Sequence, residues 1–470
     1  MLPNPRHWPW WGWALCVVAT LLIMVLSAAL IYRQTGMREL RAEVARLKAE
    51  GYGVFPADLV ALAPDVDQNR QEHAWRLLGN NAVIWDYPKV PIEGMMAHYK
   101  PSNVHQRDQE TQRVLTASES LRAEWRTQTN DGPVVTTILG WIRVDLPHPE
   151  TAKISKMSSC RVSNLLAGRS LAQAFAAEAR TSADPRAALQ GLDSLVAAHD
   201  YHGTMIDAMV LIALARIRDD AWLEATLRDY DPQPWIAHLP DVISRTTESL
   251  ASERMSLGGA YAQNTLAGKN EFSGIDPGMF IGFSSTSNWW ERAQDWLSYK
   301  AIWFSAPHDA TFYLQSVTTG EILGKTGNGD ANAIMKQMIE KRRILPISSI
   351  CVPNFVDALK TAVQTDGDAR RMRLAAALVL DYRTNKKISA SLNDLPSDYS
   401  VPISARAWLP SLRYLPINET HFRLDYDPAT PPTVLIPAGT LASPTKPFKG
   451  GYFSDRWSLE LDLAELEKIP

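Results

Sequence analysis

The sequence predicts a mainly α-helical protein hung from one N-terminal transmembrane helix, with an antiparallel helical bundle or array and a small C-terminal α+β part. Three observations predict it. Trp10–Tyr32, WWGWALCVVATLLIMVLSAALIY, is an apolar run without a single charge. Amphipathic stretches joined by short loops fill most of the chain beyond it. From Ile388 the texture changes to short β-branched and aromatic runs broken by Pro and Asn, the pattern of a short antiparallel sheet.

The apolar run comes first. A helix rising ~1.5 Å per residue over this length spans a hydrocarbon core of ~30 Å. Trp8, Trp10, Trp11 and Trp13 crowd one end and Tyr32 closes the other, as amphipathic rings do at membrane interfaces. Ser27-Ala28-Ala29 offers a signal-peptidase pattern, but the run exceeds the ~7–15 residues of a signal core, so it reads as an anchor. Leu15 before Cys16 excludes a lipoprotein acylation site, and no prepilin leader is present. Arg6 precedes the span while Arg33, Arg38 and Arg41 come after it, a local count that favours a cytoplasmic domain. Long domains translocate largely regardless of such counts.

Composition narrows the function classes. The 470 residues carry 48 Lys and Arg against 51 Asp and Glu, a net charge of −3, which provides no basic field for nucleic acid. A hydrophobic content of 46% suits a folded core. Cys16, Cys160 and Cys351 include no Cys-x-x-Cys, so no zinc or redox framework is expected, and Cys160 and Cys351 read as buried free thiols rather than a disulfide.

These textures set the boundaries: 1–33 cytoplasmic tip and span, 34–50 juxtamembrane helix, 51–150 helical and loop region, 151–350 helical core, 351–470 helix plus sheet. In the juxtamembrane helix Met37, Leu40, Val44 and Leu47 form an a/d seam, and Glu43, Arg46 and Glu50 form helical ion pairs. Two heptads are short for a coiled coil, so this helix is expected to pack on its own domain. Gly51 and Gly53 end it. A short helix is expected from Ala57, another through Trp75, a Pro-broken loop over Val90–Pro101 and a helix near Asp108–Arg126. A turn at Asn130–Pro133 precedes the β-branched run Val134–Ile138.

Ser155–Tyr230 is the densest helical signal. One helix holds Val162, Leu165, Leu166 and Phe175, and a second is capped by Asp184-Pro185. After a turn at His202-Gly203, a buried helix is expected over Thr204–Arg218, with Asp220–Tyr230 returning. Pro232–Arg254 reads as a helix pair and Gly258–Asn288 as a long Gly-rich loop. Helices are expected at Trp289–Phe304, with Trp289, Trp296 and Trp303 seven apart, at Ala331–Arg343 and within Asn354–Arg383. Pro307–Gln315 suits a helix or a short strand. Strands are expected at Leu412–Leu415, His421–Tyr426, Thr433–Ile436 and Arg456–Leu463.

Each candidate for chemistry meets an ordinary structural explanation. Gly320–Thr326, GEILGKT, is one residue short of a phosphate loop and opens no clean helix, so a plain turn is expected. Gly168–Ala172, GRSLA, resembles a nucleophile elbow but sits inside a helix. His199-Asp200 with His202, and His308-Asp309, echo metal phosphohydrolase doublets, yet a polar pair at a helix end normally caps it. Glu291 and Asp295 beside Trp289, Trp290 and Trp296 would suit glycan hydrolysis, but carboxylates one turn apart share a helix face rather than flanking a bond. That Trp seam reads as core. No catalytic, cofactor-binding or metal-binding residue is assigned.

Several stretches resemble a group of uncharacterised membrane-anchored proteins of planctomycete and verrucomicrobial bacteria. The resemblance is carried by AEGYGVFPADL, DQNRQEHAWRLL, LPHPETAKISKMSSCRVSNLLAGRSLAQAFAAEA, ALQGLDSLVAAHDYHGTMIDAMVLIALARI and RRMRLAAALVLDYRTNKKISASLNDLP. The tail is similar to that of type II secretion pseudopilins at Tyr382, Arg383, Ser391, Leu392 and Leu395. It has Lys386 and Ser389 where those tails have Gly and Pro, and it lacks their acidic Gly-containing loop. The resemblance implies an extracytoplasmic domain attached to the bacterial inner membrane, with the bulk of the chain periplasmic. Two functions are expected: from the anchor, the helical array, the tail and the failure of every catalytic motif, an interaction or scaffolding domain with a protein partner in the envelope; or, from the 258–288 loop, the many Trp and Glu291/Asp295, an extracytoplasmic hydrolase of envelope glycans using that loop as a lid.

Overall fold

The computed structural model describes residues 10–60, 62, 67–80, 104–137, 162–228, 230–236, 241–268, 289–327, 329–341, 348–395, 406, 409, 411–426, 435, 452–454 and 458–466. The expectations for Val90–Pro101, Ser155–Arg161 and Cys160 lie outside these residues. Helices α1 (Trp10–Ala49), α2 (Pro56–Val60), α3 (Gln68–Asn80), α4 (Val104–Ala117) and α5 (Glu119–Asn130) come first. The central group is α6 (Val162–Thr181), α7 (Arg186–His199), α8 (Met205–Leu227), α9 (Gln233–Ile236), α10 (Val242–Glu253) and α11 (Gly259–Leu266). A π turn, Arg254–Gly258, joins α10 to α11. Then come α12 (Trp289–Thr326), α13 (Gly329–Lys341), α14 (Ser348–Asn385), strands β1 (Leu412–Pro416), β2 (His421–Tyr426), β3 (Tyr452–Ser454) and β4 (Ser458–Asp462), and α15 (Leu463–Leu466).

The span and the juxtamembrane helix are one 40-residue helix with no break at 33/34. No Gly-Pro signal interrupts the sequence there, so the helix continues from the apolar run, long and apolar enough to span a membrane, into the domain. Residues 10–32 are largely exposed, from Trp10 at 82% to Tyr32 at 44%. A soluble core helix of this composition would be covered, whereas none of its most apolar 18-residue window is. From Arg33 the same helix is buried along Arg33, Gly36, Leu40, Glu43, Val44 and Leu47. This stripe packs on α12 of the same chain, as the short seam predicts. Gly51 ends α1 in the left-handed region (φ 82°), where Tyr52 N–H donates to Leu47 O (2.9 Å) and Gly51 N–H to Lys48 O (3.1 Å).

Several expectations change. Asp220–Tyr230 does not return: α8 runs unbroken to Leu227, because no Gly or Pro stands between Arg218 and Asp220. The loop expected from Gly258 is helical to Leu266, since the π turn absorbs Gly258 and carries the chain into α11. Its remainder, 269–288, lies outside the described residues. Pro307–Gln315 is neither a separate helix nor a strand but part of α12. The 350/351 boundary falls inside α14. The 108–126 helix is broken at Ser118, which starts α5. Val134–Thr137 is extended and buried but pairs with a helix end, Thr136 N–H donating to Ala198 O (2.9 Å).

The four strands pair antiparallel in the order β1-β2-β4-β3. The first, second and fourth expected strands match β1, β2 and β4. Of Thr433–Ile436 only Leu435 is described, as a buried bend, and β3 at Tyr452–Ser454 takes the edge instead. Phe422, Leu424, Leu459 and Leu461 of the sheet join one continuous core that also contains Leu40, Trp75, Phe175, Leu250 and Leu378. The expected regions after the span therefore share a single hydrophobic core.

Among the ion pairs that bind helices, Arg373–Asp219 is wholly buried and Arg218–Asp193 joins a buried guanidinium to a carboxylate at the surface. Asp219 of α8 meets Arg373 of α14 (3.1 Å) and also accepts Trp235 Nε1–H (2.8 Å). Arg218 meets Asp193 of α7 (2.9 Å), which accepts Trp222 Nε1–H (3.2 Å). Each carboxylate is thus satisfied by a cation and an indole, the arrangement that makes buried charge tolerable. The sheet closes on α14 where Gly367 leaves room for Tyr426: a Cβ there would lie 1.1 Å from the phenolic oxygen. Gly367→Ala should therefore lower stability by at least ~1–3 kcal/mol through overpacking. Thermal unfolding of the purified protein measures this, and an unchanged midpoint would contradict the packing of β2 on α14.

Candidate functional site

The best-organised polar site is the joint where the span enters the domain. α1 and α12 run parallel there, in nearly constant register: Arg33 faces Trp303, Glu39 faces His308 and Glu43 faces Gln315. Pro307 explains the first contact. Lacking an N–H, it leaves the Trp303 carbonyl without its helical donor. The Arg33 guanidinium donates to that carbonyl through Nη1 and stacks over the Trp303 ring at 3.7 Å. A buried cation is thereby satisfied by an oxygen that the helix itself cannot use.

One residue further, His308 bridges to α1 with both ring nitrogens, Nδ1 to Glu39 Oε2 (2.9 Å) and Nε2 to Tyr32 O (2.9 Å). Both partners are acceptors, so the two bonds form together only when both nitrogens carry hydrogen. The imidazole stacks on Tyr32 at 4.0 Å. Gly36 makes the approach possible, since a Cβ there would stand 2.7 Å from His308 Cδ2. Asp309, fully buried, ties the joint onward by accepting Ser348 Oγ–H (2.6 Å) and Ser348 N–H (3.1 Å) at the start of α14. His308-Asp309 is thus a structural pair, its members directed to different helices.

The other doublet is also structural. His199 is buried (1% exposed), with Nδ1 2.7 Å from Thr136 Oγ1. Burial pushes its imidazole down to about 4, so it stays neutral in the folded protein. Gly168 of the elbow-like stretch lies on α6 against this ring: a Cβ there would stand 3.3 Å from His199 Cε1. Asp200 pairs with Arg245 (2.7 Å) and His202 with Glu248 (3.4 Å). Among the described residues no three His, Cys, Asp or Glu side chains gather as a metal site. Gly320–Thr326 is not a turn but the last turns of α12, and its glycines serve packing: a Cβ on Gly324 would meet Thr247 Oγ1 of α10 at 2.3 Å. Glu291 and Asp295 lie on the backbone of α12, with side chains outside the described set.

A second polar cluster, unforeseen in the sequence, adjoins the π turn. Glu253 accepts Met205 N–H at the start of α8 (3.0 Å), while its Oε2 and the buried Tyr313 hydroxyl have no hydrogen-bond partner among the described residues. Burial, reinforced by nearby Asp207, raises the Glu253 carboxyl to about 7. The same surroundings push the Cys351 thiol up to about 12, which marks a free but unreactive cysteine. Arg254 of the π turn reaches Glu321 and donates to Gly53 O (2.9 Å), fastening α12 to the turn after α1.

Comparison with protein-family models, curated proteins and solved structures finds no match to this chain. The site is therefore read from its own geometry. The sequence exposed Arg33 only as a charge flanking the span; its partner lies 270 residues away. The available signal was Pro307 next to His308, a helix interruption that must be compensated by an outside donor.

Arg33→Ala should cost ~1–3 kcal/mol by leaving the Trp303 carbonyl buried and unpaired. In the Pro307→Ala background, where the helix supplies its own donor, the same substitution should cost distinctly less. A double-mutant cycle in detergent-solubilised protein measures the coupling, and additive effects would contradict it. For Glu253, the folded state holds a proton between the ordinary carboxyl range and about pH 7 that the unfolded chain releases. Stability from this group therefore falls as pH rises through that window, by roughly 3 kcal/mol in all. Glu253→Gln should gain on the parent progressively from about pH 5 to about pH 8, with a pH-independent difference as the contrary result.

Proposed function

We propose that this chain is a single-pass protein of the bacterial inner membrane whose helical, periplasmic domain serves as an interaction scaffold for an envelope partner. The observation that carries the reading is the unbroken α1. The helix that is long and apolar enough to span the membrane also supplies a stripe of the domain core. A flexible tether lets a domain sample many orientations, whereas a continuous helix clamped by Arg33, His308 and Glu43 presents one face at a fixed height above the bilayer. Such presentation suits a component that must meet a partner in the same membrane plane. The likeness of the tail to pseudopilins supports an envelope assembly and a periplasmic location.

The test inserts a flexible Gly/Ser linker between Tyr32 and Arg33, which leaves the domain contacts of residues 33–49 intact. Crosslinking in native membranes followed by mass spectrometry should recover a stoichiometric envelope partner with the parent chain. The linker variant should remain membrane-bound and folded, with a thermal midpoint lowered only by the lost Tyr32–His308 contacts, and lose that partner. Equal capture by both chains, or none by the parent, would sink the scaffold reading.

A further inference from the structure

We propose that Gln34, Arg38 and Arg41 of α1 hold the headgroups of anionic phospholipids in the leaflet beneath the domain; this rests on the anchored reading above. The three residues are spaced by four and by three, which puts them on one side of the helix over two turns. All three are exposed, on the side that faces away from the buried stripe of Gly36, Leu40 and Leu47. Two guanidiniums and a carboxamide thus offer their N–H groups outward, the donors that suit phosphate oxygens.

Nothing in the domain answers this charge. Arg46 on the same helix pairs with Glu43 (2.6 Å) and Glu50 (2.7 Å), and Glu39 is taken by His308 (2.9 Å). Arg33 is occupied by the Trp303 carbonyl. Arg38 and Arg41 make no ion pair or hydrogen bond among the described residues. No carboxylate stands three or four residues from either of them. They stand three residues from each other instead, a like-charge spacing that weakens a helix and that an anion lying between them would relieve.

Height and direction identify that anion. The apolar run ends at Tyr32, and at 1.5 Å per residue Gln34, Arg38 and Arg41 stand ~3, ~9 and ~14 Å further along the axis. The polar layer of a bilayer leaflet is ~5–8 Å deep. Side chains on a helix lean toward its N-terminus, and the N-terminal end of α1 is the membrane end. The long arms of Arg38 and Arg41 therefore lean back toward the bilayer, and Gln34 already lies within the polar layer. This geometry is the same whichever side of the membrane the domain occupies. An anionic headgroup is the acceptor that continuity with the span delivers to this face at this height.

The experiment places the full-length chain in phosphatidylcholine bilayers with a trace of nitroxide-labelled phosphatidylglycerol or phosphatidylcholine. The fraction of label immobilised against the protein gives the relative affinity for the two lipids. Each cation at an anionic surface favours binding by a factor of about five, so averaged over the lipids around one helix the parent should prefer phosphatidylglycerol by at least roughly twofold. The preference should shrink as salt is added and should be lost in Arg38→Gln/Arg41→Gln. Arg38→Lys/Arg41→Lys should keep most of it. Inorganic phosphate at constant ionic strength should leave it unchanged; a preference abolished by that ion would mean that the site takes free phosphate and would overturn the proposal. Equal ratios for the parent and the glutamine variant, with both labels immobilised, would end the headgroup contact while leaving the anchor standing. If neither label is immobilised by the parent, the anchor itself fails.

Discussion

The hydrogen bond from Arg33 to the Trp303 carbonyl is the constraint on which the arrangement turns. A proline at 307 frees that oxygen, and a cation on the first buried turn after the apolar run of α1 occupies it. The pair fixes the register of α1 against α12, and α12 is the element most others touch. Through Asp309 it holds the start of α14, through Glu321 it holds the π turn, and through Gly320 and Gly324 it lies close on α10. A one-residue slip of α1 would carry Arg33 out of reach, move Gly36 from under His308 and turn Glu43 away from Gln315. Steric fit and polar pairing thus specify the same register.

Buried charge is distributed through the rest of the core in the same manner. Asp219 and Asp193 are each answered by an arginine and an indole, and Arg254 by a carboxylate and a backbone carbonyl. Replacing such groups with well-packed apolar side chains often costs little stability. Here each such pair joins residues of different elements, so its loss would leave a charge unanswered at a helix contact. Glu253 stands apart. One of its oxygens serves the start of α8, while the other is buried with no hydrogen-bond partner among the described residues, and burial raises its carboxyl.

What the sequence disclosed was local. The span, the a/d seam through Leu40 and Leu47, the Gly51 cap and the strands around Phe422 and Leu459 can be read from periodicity and turn chemistry within a few residues. The place of His199 and Asp200 at a helix end was likewise legible, and the structure puts His199 on the last turn of α7 with Asp200 following it. What stayed hidden depends on distant partners. Gly320 and Gly324 look like a turn until α10 is laid beside them. Gly258 and Gly259 look like loop until the π turn is seen to carry them. The role of Arg33 requires knowing that Pro307 lies across from it. Propensity cannot report a contact whose two halves are separated by most of the chain.

That separation has a consequence for biosynthesis. The lower half of α1 finds its packing partner only after 270 further residues have been made. At ~5–20 residues per second, this leaves the Leu40–Leu47 stripe without that partner for roughly 15–55 seconds. In that interval Arg33 lacks the Trp303 carbonyl that it later occupies. Completion of α12 is therefore the event that gives the lower half of α1 both its acceptor and its apolar cover.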